Sequence, residues 1–136
     1  MVCVYCGSLT QVTNSRSQKR NNGVWRRRRC LHCQSIFTSL ETVDYAQVWN
    51  VQSIKGTYTP FSQDKLFLSI WQSCRHRATA KEDARQLTDT VMEKLRLKQQ
   101  RGILAVYTVI DVVQVVLNRF DKAASVYYAA RHSHKP

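Results

Sequence analysis

Cys3-Val4-Tyr5-Cys6 and Arg26-Arg27-Arg28-Arg29-Cys30-Leu31-His32-Cys33 decide the reading of the first third of this chain. Each holds a C-x-x-C pair, and residues 7–29 separate the two. A C-x-x-C turn offers two thiolates from one bend, and two such turns complete a tetrahedron around Zn²⁺. Four protein ligands leave no open coordination position, so the spacing predicts one structural zinc per chain, held by Cys3, Cys6, Cys30 and Cys33. The separation is slightly longer than the usual ribbon spacing, and a hairpin tip can absorb the excess. The competing readings are a redox pair or two disulfides. A redox site needs only one C-x-x-C, opening a helix beside a sheet, and nothing of that kind surrounds these.

The segment around the cysteines has little else to fold on. Leu9, Val12, Val24, Trp25, Ile36, Phe37 and Leu40 are most of the large apolar side chains in residues 1–45. A core that small needs a metal to stand. Asn21-Asn22-Gly23 is a turn signal, so Val24-Trp25 starts the return strand of a hairpin and the arginines follow on it. Alternation along a strand puts Arg26 and Arg28 on one face and Arg27 and Arg29 on the other. Guanidinium groups match phosphate oxygens and the guanine edge. The run therefore predicts nucleic-acid contact, and Arg16, Lys19 and Arg20 lie upstream of it. The same charges also suit a solvated strand that offsets a negative zinc–tetrathiolate centre. His32 is expected to face solvent or to sit behind the ligands.

The whole chain agrees with an anionic partner. Its 136 residues carry 21 Lys and Arg against 9 Asp and Glu, a net charge of +12. That balance points to nucleic acid or phosphates. A hydrophobic share of 43% excludes a wholly disordered chain. The apolar runs are too short to span a bilayer, and the N-terminus lacks the charged and apolar regions of a signal peptide. A cytoplasmic protein with reduced thiols is expected, and Cys74 is expected to be a small buried apolar residue.

After Glu41 the pattern changes. Val43–Val51 is rich in β-formers, Lys55-Gly56 reads as a turn, and Thr57–Phe61 reads as a second strand. Ser62 caps a helix to about Arg77, with Leu66, Ile70 and Cys74 on one face. Thr79 and Glu82 form a capping box, opening a helix with Ala84, Leu87, Val91 and Leu95 inward. Arg101-Gly102 marks a loop. A third helix over 108–120 faces Ile110, Val113, Leu117 and Phe120 inward, and Asp121 caps a last helix, Lys122–Arg131. The fold class is α+β: a zinc-bound β unit over 1–45, then a mainly helical domain over 46–136 fronted by a β-hairpin. No catalytic constellation or glycine-rich phosphate loop is present. His32, His76, His132 and His134 are scattered, the last two in a frayed tail. Lys55 and Lys65 are candidates for a phosphate contact.

Cys3-x-x-Cys6, Asn14-Ser15-Arg16, Arg26-Arg27-Arg28-Arg29-Cys30-x-x-Cys33 and Phe37-Thr38-Ser39-Leu40-Glu41 together resemble the N-terminal zinc ribbon of the NrdR family, bacterial repressors of ribonucleotide reductase genes. Val51, Gly56, Pro60-Phe61, Asp64-Lys65-Leu66 and Asp121-Lys122 are similar, in the same order, to that family's ATP-cone. The resemblance implies a ribbon that binds double-stranded DNA at operator boxes through Arg16, Arg26, Arg27, Arg28 and Arg29. It implies a cone that binds ATP or dATP as regulatory ligands near Val51, Gln52, Ser53, Lys55, Lys65 and Tyr128. It also implies a homo-oligomer whose size follows the nucleotide, and a bacterial, nucleoid-associated setting. Where the family's cone carries a Lys-Arg pair, this chain has Ser53-Ile54, and Tyr127 replaces an arginine. A second expectation is therefore a nucleotide-blind nucleic-acid-binding module whose cone only oligomerises.

Overall fold

A computed structural model describes residues 1–132. The chain forms two compact units, Met1–Val43 and Asp44–Pro136. The architecture is α+β, a small three-stranded antiparallel sheet with a cysteine cluster followed by a mainly helical unit.

In the first unit, β1 (Thr10–Gln18), β2 (Gly23–Cys30) and β3 (Ile36–Glu41) pair in the order β1-β2-β3. The β1–β2 register shifts between Val12 and Asn14, a bulge at Thr13. No apolar core lies beneath the sheet. Cys3 (3% exposed) and Cys30 (0%) are its buried side chains, while Val12, Ile36 and Leu40 are exposed.

The second unit opens with α1 (Tyr45–Val48), where a longer strand is expected. One helical turn brings Tyr45 against Trp49, ring centroids 4.5 Å apart, and strand geometry would have placed those rings on one face but farther apart. The strand shrinks to β4 (Asn50–Gln52), paired antiparallel with β5 (Tyr58–Pro60). A third strand, β6 (Ile103–Ala105), lies parallel to β4, so the hairpin is part of a three-stranded sheet ordered β5-β4-β6. The Arg101-Gly102 loop leads into that strand.

Four helices complete this unit. In α2 (Gln63–Ser73), the Ser62 hydroxyl accepts the Lys65 N–H at 3.2 Å, and Leu66, Ile70 and Cys74 are buried as expected. The helix stops at Ser73 rather than running on to Arg77. In α3 (Ala80–Lys98), Ala84, Leu87, Val91 and Leu95 form the inner stripe. The expected capping box is not formed. The Thr79 hydroxyl donates to the Asp83 carboxylate at 2.6 Å, and Glu82 is engaged by Arg85 and Gln86. In α4 (Val106–Phe120), the inner face is Val112, Val113, Val116 and Leu117. Phe120 is turned outward at 39% exposure and lies under the Arg77 guanidinium, 4.6 Å from ring centroid to Cζ. Asp121 caps α5 (Lys122–Arg131) by accepting the Ala124 N–H at 3.1 Å, as expected.

Asp121 does more than cap. It accepts from Arg77 at 2.9 Å and from His76 at 3.2 Å, and Arg77 also reaches Asp83 at 2.9 Å. The Ala124 N–H, then the His76 and Arg77 hydrogen bonds, hold the Asp121 carboxyl down at about 2, below its ordinary 3.8. A carboxylate with a lowered folded pKa stabilises above its unfolded pKa and loses that contribution as pH falls through the folded value. Acid titration of the melting temperature should therefore fall between about pH 4 and pH 2, and Asp121→Asn should flatten that limb. An unchanged acid limb in Asp121→Asn would remove the carboxylate from the account.

Candidate zinc centre and nucleic-acid interface

The two C-x-x-C turns are built alike. Gly7 follows the first at φ +74 and Gln34 follows the second at φ +62, each leaving its turn through a left-handed residue. The Cys3 N–H donates to the Ser8 carbonyl at 2.8 Å, and the Cys30 N–H donates to the Ser35 carbonyl at 2.9 Å. Backbone donors then point at sulfur: Tyr5 N–H to Cys3 Sγ, and His32 and Cys33 N–H to Cys30 Sγ, each at 3.4 Å.

The four sulfurs converge. Cys3 Sγ lies 3.7 Å from Cys33 Sγ, Cys6 Sγ lies 3.4 Å from Cys30 Sγ, and all four fall within 4.8 Å of one another. Sulfurs about 2.3 Å from a central zinc in a tetrahedron stand about 3.8 Å apart. The donor set therefore fits Zn²⁺ in number, chemistry and spacing. Ser8, hydrogen-bonding through side chain and backbone, holds the Cys6 thiol down at about 5, and Ser35 lowers Cys33. Burial pushes the Cys30 thiol up to about 11. A metal must meet all four as thiolates, so loading releases protons. The His32 ring is not among the ligating groups, and Cys74 lies in the helical core.

Strand β2 splits the arginine run between two faces. Arg26 donates to Glu41 at 3.1 Å and to the Ser15 hydroxyl at 3.0 Å, and Arg28 donates to the Ser39 hydroxyl at 3.0 Å. Both are half-buried, whereas Arg27 and Arg29 are exposed. Arg16 sits opposite Trp25 on the latter face, and Asn14 sits opposite Arg27.

In the second unit, Val51, Lys65 and Tyr128 meet at one cavity of about 250 Å³, together with Phe61, Ile110 and His132. Gln52, Ser53 and Lys55 lie outside it. Ser53 closes the hairpin turn instead, its hydroxyl 2.6 Å from that of Thr57. His132 is not frayed: its ring stacks on Tyr128 at 4.1 Å and lies 3.1 Å from the Ser69 hydroxyl. Burial raises the Tyr128 hydroxyl to about 12. His134 falls outside the described residues. The sequence offered no signal for Ser69 or His132 at this cavity, because they meet across α2 and the end of α5.

A three-stranded sheet closed by four converging cysteines defines a zinc-ribbon protein, here carrying a second, mainly helical unit. Residues 1–41 match the profile described as "Transcriptional repressor NrdR-like, N-terminal domain". The chain is 31% identical over 130 residues to the Transcriptional repressor NrdR of Symbiobacterium thermophilum, covering 96% of this chain and 85% of that protein. It is 33% identical over 132 residues to the protein of the same name from Desulforapulum autotrophicum, covering 96% and 78%. With that of Thiobacillus denitrificans the identity is 31% over 131 residues, covering 96% and 82%. The chain belongs to the NrdR family. Among the described residues, no helix is long and apolar enough to cross a membrane.

Proposed function

We propose that this chain is a DNA-binding transcriptional repressor of ribonucleotide reductase genes, acting in the bacterial cytoplasm at the nucleoid and without an enzymatic step. Cys3, Cys6, Cys30 and Cys33 hold one structural Zn²⁺, and the unit they brace, residues 1–45, binds double-stranded operator DNA. Residues 46–136 take ATP or dATP and set the size of a homo-oligomer. The observation that carries this reading is the match to proteins named as repressors along 96% of the chain, joined to an arginine-bearing strand beside the cysteine cluster. In the cavity, the apolar lining suits a base and Lys65 suits a phosphate. A nucleotide regulates such a protein when it binds one assembly state better than another.

One observation favours the second reading, in which the helical unit only oligomerises. Among the described residues, Lys65 is the one lysine or arginine on the cavity wall, and Lys55 lies outside it. A single titration series separates the two. Duplex from upstream of the reductase genes is titrated across salt concentrations, with ATP, with dATP and without nucleotide, and light scattering follows the same samples. The expected result is tighter binding than to a scrambled duplex, and a mass and affinity that change with one nucleotide. An indifferent mass and affinity would select the nucleotide-blind reading. Equal affinity for the scrambled duplex would sink the repressor reading, because a +12 chain binds any DNA at low salt.

A further inference from the structure

We infer that the ribbon meets DNA with one face of its sheet only: Arg16, Arg27 and Arg29 face the major groove, while Arg26 and Arg28 of the same run hold the sheet together. This rests on the DNA-binding reading above and divides its arginines by role.

The division follows from the register. Arg27 and Arg29 alternate with Arg26 and Arg28 along β2, so neighbours point to opposite faces. Arg16, opposite Trp25, is the diagonal neighbour of Arg27, a separation of about 7–8 Å. The three form a row of positive charge that runs from β1 along β2. Among the described residues, none of their side chains has a hydrogen-bond or ion-pair partner, so their full donor sets are available. Arg26 and Arg28 are already spent. Arg26 holds the Glu41 carboxylate and bonds Ser15 across the sheet, and Arg28 bonds Ser39. Each clamps β2 to a neighbouring strand.

Charge selects the same face. Glu41, the strand partner of Val24, shares the face of Arg26 and pairs with it, and would repel phosphates there. The Arg27 face has no acidic residue: Gln11 and Asn14 on β1 and Thr38 on β3 are its polar neighbours. Amide side chains of Asn and Gln suit adenine edges, arginine suits guanine, and exposed apolar groups suit the thymine methyl. Leu40, 51% exposed beside Trp25, and Ile36, 41% exposed beside Arg29, supply the last. The three arginines lie on two adjacent strands, β1 and β2, of the three-stranded sheet, and the major groove shows side chains a distinct edge pattern for each base pair.

The test compares two double variants in the full zinc-loaded chain, Arg27→Ala/Arg29→Ala and Arg26→Ala/Arg28→Ala. Zinc content and melting temperature report folding. Duplex affinity against salt reports DNA contacts, since each neutralised phosphate contributes about 0.9 to the slope of log K on log salt. The Arg27/Arg29 variant should keep its zinc and melting temperature. Its affinity should fall at least about tenfold, with the slope shallower by up to about 1.8. The Arg26/Arg28 variant should melt earlier and, where folded, keep the wild-type slope. Arg16→Ala, outside the run, should reduce the slope by about 1 without loss of zinc, which decides the matter if either double variant fails to fold. Equal slope losses in both double variants, or a loss confined to Arg26/Arg28, would overturn the face assignment. A wild type that prefers no duplex over scrambled DNA would instead defeat the repressor reading, with the slopes still judging the face.

Discussion

Stripping zinc from this protein should unfold residues 1–43 and leave the helical unit folded. Cys30→Ser should do the same. In the first unit the buried side chains are Cys3 and Cys30, while Val12, Ile36 and Leu40 stay in water. Ordering a residue's backbone costs about 1–2 kcal/mol, and the half-buried Val24, Trp25 and Phe37 offset only part of that here. Structural zinc contributes about 10–16 kcal/mol in small domains near neutral pH, comparable to the whole stability of an ordinary domain, about 5–15 kcal/mol. Losing the buried Cys30 thiolate removes one ligand and leaves the other three an open site. The second unit has its own core, centred on Ile70, Val91, Leu95, Val113 and Leu117, and needs no metal for it. Backbone amide spectra with and without chelator would show this. Resonances of residues 1–43 should collapse to random-coil positions, while those of α2 to α5 stay dispersed. Persistent dispersion over β1 to β3 in the chelated protein would mean that the sheet stands without the metal.

The parts legible in the sequence were those decided by local chemistry. Thiolate pairs with two residues between them announce a metal without knowledge of the fold. Ser62 and Asp121 cap helices with their own side chains. The inner stripe of α3 follows from spacing alone. Other features depended on distant partners. The strand β6 is three residues long, and its strand partner, β4, lies on the far side of two helices in sequence. The capping box at Thr79 failed because Arg77 draws Asp83 to the helix start, where its carboxylate takes the Thr79 hydroxyl as donor. The α4 stripe is turned because Phe120 packs under Arg77 rather than inward.

The candidate sites divide in the same way. Alternation along β2 was visible, but which arginines are tied down depended on Ser15, Ser39 and Glu41 on its neighbours. At the cavity, Val51, Lys65 and Tyr128 come together while Ser53 and Lys55 do not. The 53–57 turn bonds back on itself through Ser53 N–H to the Thr57 carbonyl at 2.8 Å. Motif alignment carries residues over by order, and only the turn's geometry says where they point.

Gly102→Ala should cost about 2–5 kcal/mol of stability in the helical unit, the sum of two separate penalties. The residue sits at φ +78, where a side chain costs about 1–2 kcal/mol. Its Cβ would also run into the Val48 carbonyl oxygen, with the Trp49 ring beyond at 3.9 Å. Relieving a clash with a packed backbone typically adds about 1–3 kcal/mol. The neighbouring bonds leave little room to yield. The Gly102 carbonyl accepts the Asn50 N–H at 2.8 Å, and the Gly102 N–H donates to the Gln99 side chain at 2.7 Å. Moving Gly102 away from Val48 therefore pulls β6 from β4 and frees α1 from the sheet. Gly56→Ala is the internal control. It has a similar φ of +84 with nothing within 4 Å of the added carbon, so it carries the conformational penalty alone. Denaturant unfolding of the two variants, followed in the helical unit, isolates the contact. Equal losses would mean that the approach to Val48 relaxes freely. A clearly larger loss at Gly102 would show that this glycine is needed to let the strand joining α3 to α4 lie against the start of the sheet.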